Sequence, residues 1–215
     1  MKDLIIIGAG GFGRETAWMV ERINKENPEW NLLGFIDDDT SKTGKIINGY
    51  EVLGTVNALQ NFADAYVVCA VGASKVRKSI IDRIKESYPN IKFAAIIDPA
   101  VQMSNTAKIG EGSIICVNSV LSVDIEIGNY VIVNFGCTVG HDAVLSDFVT
   151  VYPGVNISGS TVIGYCSELG TGMQIIQGKT VGEYTIVGAG AVVVRDMPDK
   201  CTAVGNPAKP IKFFE

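Results

Sequence analysis

From Ile109 to about Pro198 the chain repeats a pattern of six residues. Stepping by six from Ile109 gives Ile115, Leu121, Ile127, Val133, Val139, Leu145, Val151, Ile157, Ile163, Leu169, Ile175, Val181, Val187 and Val193, all aliphatic. The next residue is glycine at 110, 128, 140, 164, 170, 182 and 188 and asparagine at 134, which suits a recurring turn that needs a positive φ or a close backbone approach. The fifth place is mostly small or β-branched, as at Ser113, Ser119, Val131, Cys137 and Ala143. An amphipathic helix repeats its apolar residues at spacings of three and four, whereas a period of six describes short strands alternating with turns. Three hexads make one triangular coil of about eighteen residues, so this stretch builds about five coils of a parallel β-helix with the aliphatic places stacked inside. The register weakens once, at Ile175-Ile176-Gln177-Gly178-Lys179-Thr180, where Ile176 replaces a turn residue and Lys179 takes the small inward place. A local bulge or loop is expected there.

The first half has a different rhythm. Leu4 to Ile7 is a short apolar run, followed by Gly8-Ala9-Gly10-Gly11-Phe12-Gly13 and a helical segment from Arg14 to about Lys25. This is G-x-G-x-x-G in the strand, turn, helix setting that gives it meaning, with glycines letting the backbone approach a phosphate at a helix N-terminus. A second strand, Leu32 to Ile36, ends in Asp37-Asp38-Asp39, where a Rossmann-like domain holds a ribose or base. Gly44 to Gly54 separates it from a third strand, Ala65 to Val71, which runs into Gly72-Ala73-Ser74 and a helix over 75–87. A fourth run, Lys92 to Ile97, closes the unit at Asp98-Pro99. Alternating strands and helices over about 98 residues make a small doubly wound domain whose ligand lies at the C-terminal strand ends. The glycine turn, the acidic triplet and Gly72 converge there; otherwise the glycines only permit tight turns and the aspartates only solvate a strand end. With four strands, no second mononucleotide-binding half and no residue suited to hydride transfer, one nucleotide carrying a sugar fits better than a dinucleotide.

Composition narrows the classes. The formal charge of −5 is spread over mixed acidic and basic residues, so no basic face points to nucleic acid or anionic membrane. No apolar run approaches the roughly 20 residues of a membrane span, and Asp3 interrupts the only stretch resembling a leader. Five cysteines, odd in number, widely spaced and without C-x-x-C, suggest neither a disulfide framework nor a zinc site, and fit reduced thiols in a cytoplasm.

The single histidine is His141, in Val139-Gly140-His141-Asp142-Ala143. It holds the third place of its hexad and should point outward. Asp142 can orient the imidazole or raise its basicity, and Gly159 follows eighteen residues later, one coil away. A base beside an open backbone amide is a workable acyl-transfer site, against the plainer reading of a solvated corner. One histidine cannot supply the three that hold a metal in carbonic anhydrases built on this scaffold, so no metal is expected. Cys137 holds a small inward place, stacked with Val155 and Met173, and reads as packing.

The chain's end carries Gly188-Ala189-Gly190-Ala191-Val192-Val193, then Asp196-Met197-Pro198 and Gly205-Asn206-Pro207-Ala208-Lys209. Together with GAGGFG, the aspartate triplet and Gly-His-Asp, this tail resembles the hexapeptide-repeat bacterial sugar acetyltransferases, among them sialic acid O-acetyltransferases and N-acetyltransferases of UDP-linked 4-amino sugars. The resemblance implies an α/β Rossmann-like nucleotide-sugar-binding domain over 1–98. It implies a left-handed parallel β-helix over 99–215, a homotrimer with active sites between subunits, and acetyl-coenzyme A as co-substrate. By motif, His141 would be the general base and Asp142 its support. Asn134 falls on a sugar contact, Gly10, Gly11, Phe12, Asp37, Asp38 and Gly72 on nucleotide-sugar contacts, and Gly159, Thr171 and Ala189 on acetyl-coenzyme A contacts. Thr150 stands near the cofactor, where the amino-sugar enzymes have a second histidine, and this departure leaves O- against N-transfer open. The expected function is therefore acetyl transfer to a sugar hydroxyl or amine without a covalent enzyme intermediate. Its rivals are an acyltransferase for a small acceptor such as serine, and a non-catalytic trimeric binding protein.

Overall fold

A computed structural model of the chain describes residues 1–214 and separates into two compact units, Met1–Pro99 and Ala100–Glu215. In the first, β1 (Lys2–Ile7) and β2 (Trp30–Ile36) flank α1 (Gly11–Glu26), and β3 (Ile46–Ile47) and β4 (Tyr50–Gly54) form a hairpin. β5 (Tyr66–Cys69), α2 (Ser74–Ser87) and β6 (Lys92–Phe93) complete it. The sheet order is β3-β4-β2-β1-β5-β6, parallel except for the hairpin. Leu4, Ile5 and Ile6 are fully buried in its centre, which explains why β1 reads as a continuous apolar run and not as an alternation. Strands are first added on one side of β1 and then, from β5, on the other. The turns after β1 and β5 therefore part at a topological switch point, and a crevice opens there.

Two details differ from the sequence reading. The stretch 44–54 contains the β3–β4 hairpin, turned by Asn48 and Gly49 with φ of 47° and 83°. Asn-Gly is the residue pair that this tight turn demands. The run 92–97 is also not one strand: β6 stops at Phe93, and Ile96–Ile97 is separate.

The second unit is a left-handed parallel β-helix. Two-residue strands recur every six residues from Gln102–Met103 to Val192–Val193, one hexad earlier than the aliphatic period indicated. Coils pair in register at eighteen: Ile115 opposite Val133, Val133 opposite Val151, Val151 opposite Leu169, and Leu169 opposite Val187. The positive φ of each turn does not fall on the residue after the aliphatic place. It falls two residues later, at Gly112, Asn118, Asp124, Tyr130, Gly136 and Asp142 and onward to Gly190. The glycines after the aliphatic places serve close approach instead: a Cβ on Gly110 would lie 2.5 Å from the Gly128 carbonyl carbon, and one on Gly170 2.6 Å from the Ala189 nitrogen.

No bulge forms at 175–180. Gln174–Ile175 and Thr180–Val181 pair regularly with the coil before, Ile176 faces outward at 43% exposure, and Lys179 is only half-buried, which keeps its ammonium near water. On one corner Tyr130 stacks on Phe148 at a centroid distance of 5.0 Å, and Phe148–Tyr165 and Tyr165–Tyr184 meet edge to face at 5.7 and 5.5 Å. The Gly205–Lys209 tail turns a hairpin between Cys201–Val204 and Lys209–Phe213, whose first strand pairs with Ile186–Val187 and covers the last coil.

Candidate active site and nucleotide crevice

His141 stands on the corner that follows the strand Thr138–Val139 and is exposed, as its place in the hexad requires. Its Nδ1 lies 2.8 Å from Oδ2 of Asp142. Asp142 can reach back to its neighbour because it takes the positive-φ turn place, φ 58°, a conformation that aspartate tolerates. A carboxylate on Nδ1 selects the tautomer with the proton there, so Nε2 keeps its lone pair and can accept a proton.

The ring lies over Gly159. A Cβ at that position would meet Cε1 and Nε2 at 2.5 Å and Cδ2 at 2.9 Å. This corrects the expectation of an open amide beside the base: Gly159 is buried beneath the imidazole, because its missing side chain is the space the ring fills. Its N–H donates to no protein acceptor among the described residues, while its carbonyl accepts from Gly178. Gly140 is also required, since a Cβ there would sit 2.6 Å from the Gly159 nitrogen.

The remaining β-helix candidates divide between corners. Asn134, Thr171 and Ala189 all follow strands of the face Ile132–Val133, Thr150–Val151, Glu168–Leu169 and Ile186–Val187, so they share a corner that does not carry His141 and Gly159. Thr171 and Ala189 are exposed on adjacent coils there, tied by a 2.9 Å bond from Gly190 N–H to the Thr171 carbonyl. Asn134 is 9% exposed and its Oδ1 accepts from the Phe135 amide. Thr150, in the strand of that face, is fully buried and offers no surface on this chain. Cys137 is likewise buried, with burial pushing its thiol up to about 11, which suits packing and not nucleophilic chemistry.

In the first unit a crevice of about 470 Å³ opens at the switch point, lined among others by Gly8, Asp37, Asp38, Val71, Lys75 and Arg83. Gly11 instead borders a shallower hollow of about 330 Å³ with Arg14, Glu15, Trp18 and Asn48. The glycines of the turn have separate causes. Gly8 has φ 99°, and a Cβ on Gly13 would overlap the Gly8 carbonyl oxygen outright, so both are needed by the fold. Gly10 has no atom within 4 Å of a Cβ, and Gly11 only the Arg14 guanidinium at 3.9 Å. Nothing in the chain demands glycine at these two exposed places; a ligand brought against the bare backbone would. Gly10 caps α1 without a side-chain hydrogen bond, which leaves the positive end of the helix facing that space.

Asp37 is less available than its position suggested. Its Oδ2 accepts from the Ala9 amide and the Lys42 ammonium, both at 2.9 Å, and Oδ1 accepts from the Asp39 amide at 3.0 Å. Burial pushes its carboxyl up, but Lys42 and the two backbone donors outweigh this and hold it below the usual range. Asp38 is freer, at 45% side-chain exposure, and pairs with Arg83 across the crevice. Lys75 and Arg83 were absent from the sequence reading. Only their helical spacing of eight, which puts them on one face of α2, could have suggested them.

Comparison with known proteins adds the chemistry. Residues 3–84 match the family described as PglD N-terminal domain. The chain is 32% identical to GDP-perosamine N-acetyltransferase of Escherichia coli O157:H7, over 96% of this chain and 95% of that one. The acetyltransferase domain of PglB from Neisseria gonorrhoeae, solved in complex with acetyl coenzyme A, superposes with a TM-score of 0.87 at 34% identity, covering 98% and 99% of the two chains. A histidine-to-asparagine variant of perosamine N-acetyltransferase from Caulobacter crescentus, in complex with CoA and GDP-perosamine, superposes with a TM-score of 0.89 at 26% identity over 99% and 98%. Similarity along the whole length, in both units at once, means that this chain belongs to the hexapeptide-repeat sugar acetyltransferases, enzymes that use acetyl-coenzyme A to acetylate a sugar.

Proposed function

We propose that the protein acetylates the amine of a nucleotide-linked amino sugar, with His141 as general base and Asp142 holding its tautomer. The observation that carries the reading is the imidazole with Nδ1 held by a carboxylate and its ring seated on a glycine, a base fixed in one pose on the β-helix. Nε2 takes the proton from the acceptor nitrogen as that nitrogen attacks the thioester carbonyl; the C–S bond then breaks, and the imidazolium returns the proton to the departing sulfur, which leaves as the coenzyme A thiol. Gly159, buried beneath the ring, enters this reading as the seat of the imidazole. The crevice holds the nucleotide, with Asp38 toward the base or ribose and Asp37 in the wall; Gly10, Gly11 and Phe12, at the start of α1 outside the crevice lining, take the phosphates, and Gly72 follows the wall residue Val71. The complex of the Caulobacter crescentus perosamine N-acetyltransferase variant with GDP-perosamine supports a nucleotide-linked sugar as the occupant of this crevice.

Acetyl-coenzyme A is assigned to the corner of Thr171 and Ala189, with Asn134 toward the sugar and Thr150 behind them. Because that corner and the His141 corner are different edges of one triangular helix, the reading requires a second copy to bring them together. A homotrimer meets that need, each site lying between two subunits. Five free, buried cysteines support a reducing cytoplasm.

Thr150, standing where the amino-sugar enzymes have histidine, favours a second reading in which the acceptor is a sugar hydroxyl. One experiment separates them: acetyl-coenzyme A with GDP-, UDP- and dTDP-linked amino and neutral sugars, products followed by mass, then treated with mild base. An acetyl amide survives and an acetyl ester is cleaved. Absence of any acetylated sugar nucleotide would return the acceptor to a small molecule such as serine.

A further inference from the structure

Arg77, on the first turns of α2, is fully buried and is among the largest side chains in the chain with no exposed surface. Burying a guanidinium is costly unless its donors are satisfied, so its partners identify its work. One terminal nitrogen donates to two consecutive backbone carbonyls, Val71 at 2.7 Å and Gly72 at 2.9 Å. These are the residues by which the chain leaves β5 and enters α2, at the switch point where the crevice opens.

We infer that Arg77 is a positioning residue for the nucleotide, acting from behind the crevice by fixing the Val71–Gly72 segment; this rests on the assignment of the crevice to a nucleotide. Two consequences follow from the geometry. Both carbonyl oxygens are engaged by the guanidinium, so each already has a cationic partner when an anionic ligand enters the crevice. The same bonds also hold the backbone of Val71, whose Cγ2 would lie 3.2 Å from a Cβ on Gly8, against the glycine turn. Val71 and Gly8 are both crevice walls, so Arg77 sets the spacing between the two turns that grip the ligand. The guanidinium stays protonated at all working pH values, and its nearby charge does not ionise Cys69, whose burial pushes the thiol up to about 12. The clamp is therefore permanent. Lysine cannot reproduce it fully, because an ammonium lacks the planar fork.

The test uses calorimetric titration of the full-length protein with GDP and with UDP, alongside steady-state kinetics, for wild type, Arg77→Gln and Arg77→Lys. Arg77→Gln should weaken binding of whichever nucleotide the wild type prefers by about 10-fold or more and raise the KM of the sugar nucleotide alike. The KM of acetyl-coenzyme A should stay unchanged and kcat should stay within about twofold, with Arg77→Lys intermediate. A general loss of packing would not divide the two substrates in this way. Folded variants that bind nucleotide like wild type, or that lose both substrates in parallel, overturn the inference. If neither Arg77 variant folds, Val71→Ala decides, since Val71 is only partly buried: an unchanged nucleotide Kd refutes the role of the segment. Wild-type protein that binds neither nucleotide would instead refute the crevice assignment, an outcome distinct from the first.

Discussion

Replacing Gly159 with alanine tests the active site without touching either catalytic side chain. The new methyl would lie 2.5 Å from Nε2 and Cε1 of His141, where ordinary contact begins near 3.4 Å, so the ring must retreat by about 1 Å. The backbone at 159 is outside the left-handed region, so alanine brings no conformational strain there. The ring is anchored at one point, the 2.8 Å contact from Nδ1 to Asp142. It can only swing about that anchor, which moves Nε2, or break it, which frees the tautomer. A misplacement of about 1 Å at a reacting group costs on the order of 10²-fold, and loss of a general base altogether costs about 10² to 10⁴-fold. Gly159→Ala should therefore lower kcat by roughly 10²-fold, with His141→Ala setting the floor. The double variant should be no slower than His141→Ala, because both changes act through one base. The assay is release of the coenzyme A thiol under saturating acceptor, with thermal unfolding as the control. Near-normal turnover in Gly159→Ala, or full additivity in the double variant, would refute the argument that this glycine exists to seat the imidazole.

Other outcomes follow from the same geometry. Gly10→Ala should raise the KM of the sugar nucleotide with no loss of thermal stability, whereas Gly13→Ala should fail to fold the first unit; circular dichroism and kinetics on the two proteins check the contrast. The carboxyl of Asp37 is held below its ordinary value of 3.8, so its stabilising contribution is complete above that value and is lost as pH falls through the lower folded value. The gap in thermal midpoint between wild type and Asp37→Asn should accordingly be constant above about pH 5 and narrow as pH falls below the ordinary value of 3.8; a gap that widens with acid would contradict the sign. Light scattering should give three copies of the 22.9 kDa chain, about 69 kDa, and a stable active monomer would break the two-corner account of the site.

The β-helix was legible in the sequence because its coils repeat: one period of six encodes strand, turn and inward place alike, and a register of eighteen follows from three hexads. The same local logic placed His141 outward and Asp142 beside it. What the repeat could not state was which turn place bears the positive φ, because Tyr130, Phe148 and Cys166 adopt it where glycine would be expected, and the coil geometry overrides their preference. Nor could it state that Gly159 lies under the imidazole, since that contact joins residues one coil apart and depends on where a ring comes to rest. In the first unit the β1 apolar run and the glycine turn were read from sequence. The roles of Gly8 and Gly13, against those of Gly10 and Gly11, became distinct only when the space around each was known. Asp37 and Arg77 make the point most clearly. Read along the chain, one is a ligand contact and the other an unremarked helix residue; in three dimensions the first is held by Ala9 and Lys42, and the second sits buried behind the crevice holding its wall. Sequence periodicity reports backbone path because local sterics and burial repeat with it, whereas the partners of a charged side chain are chosen by segments far apart in the chain, and only the tertiary structure brings those together.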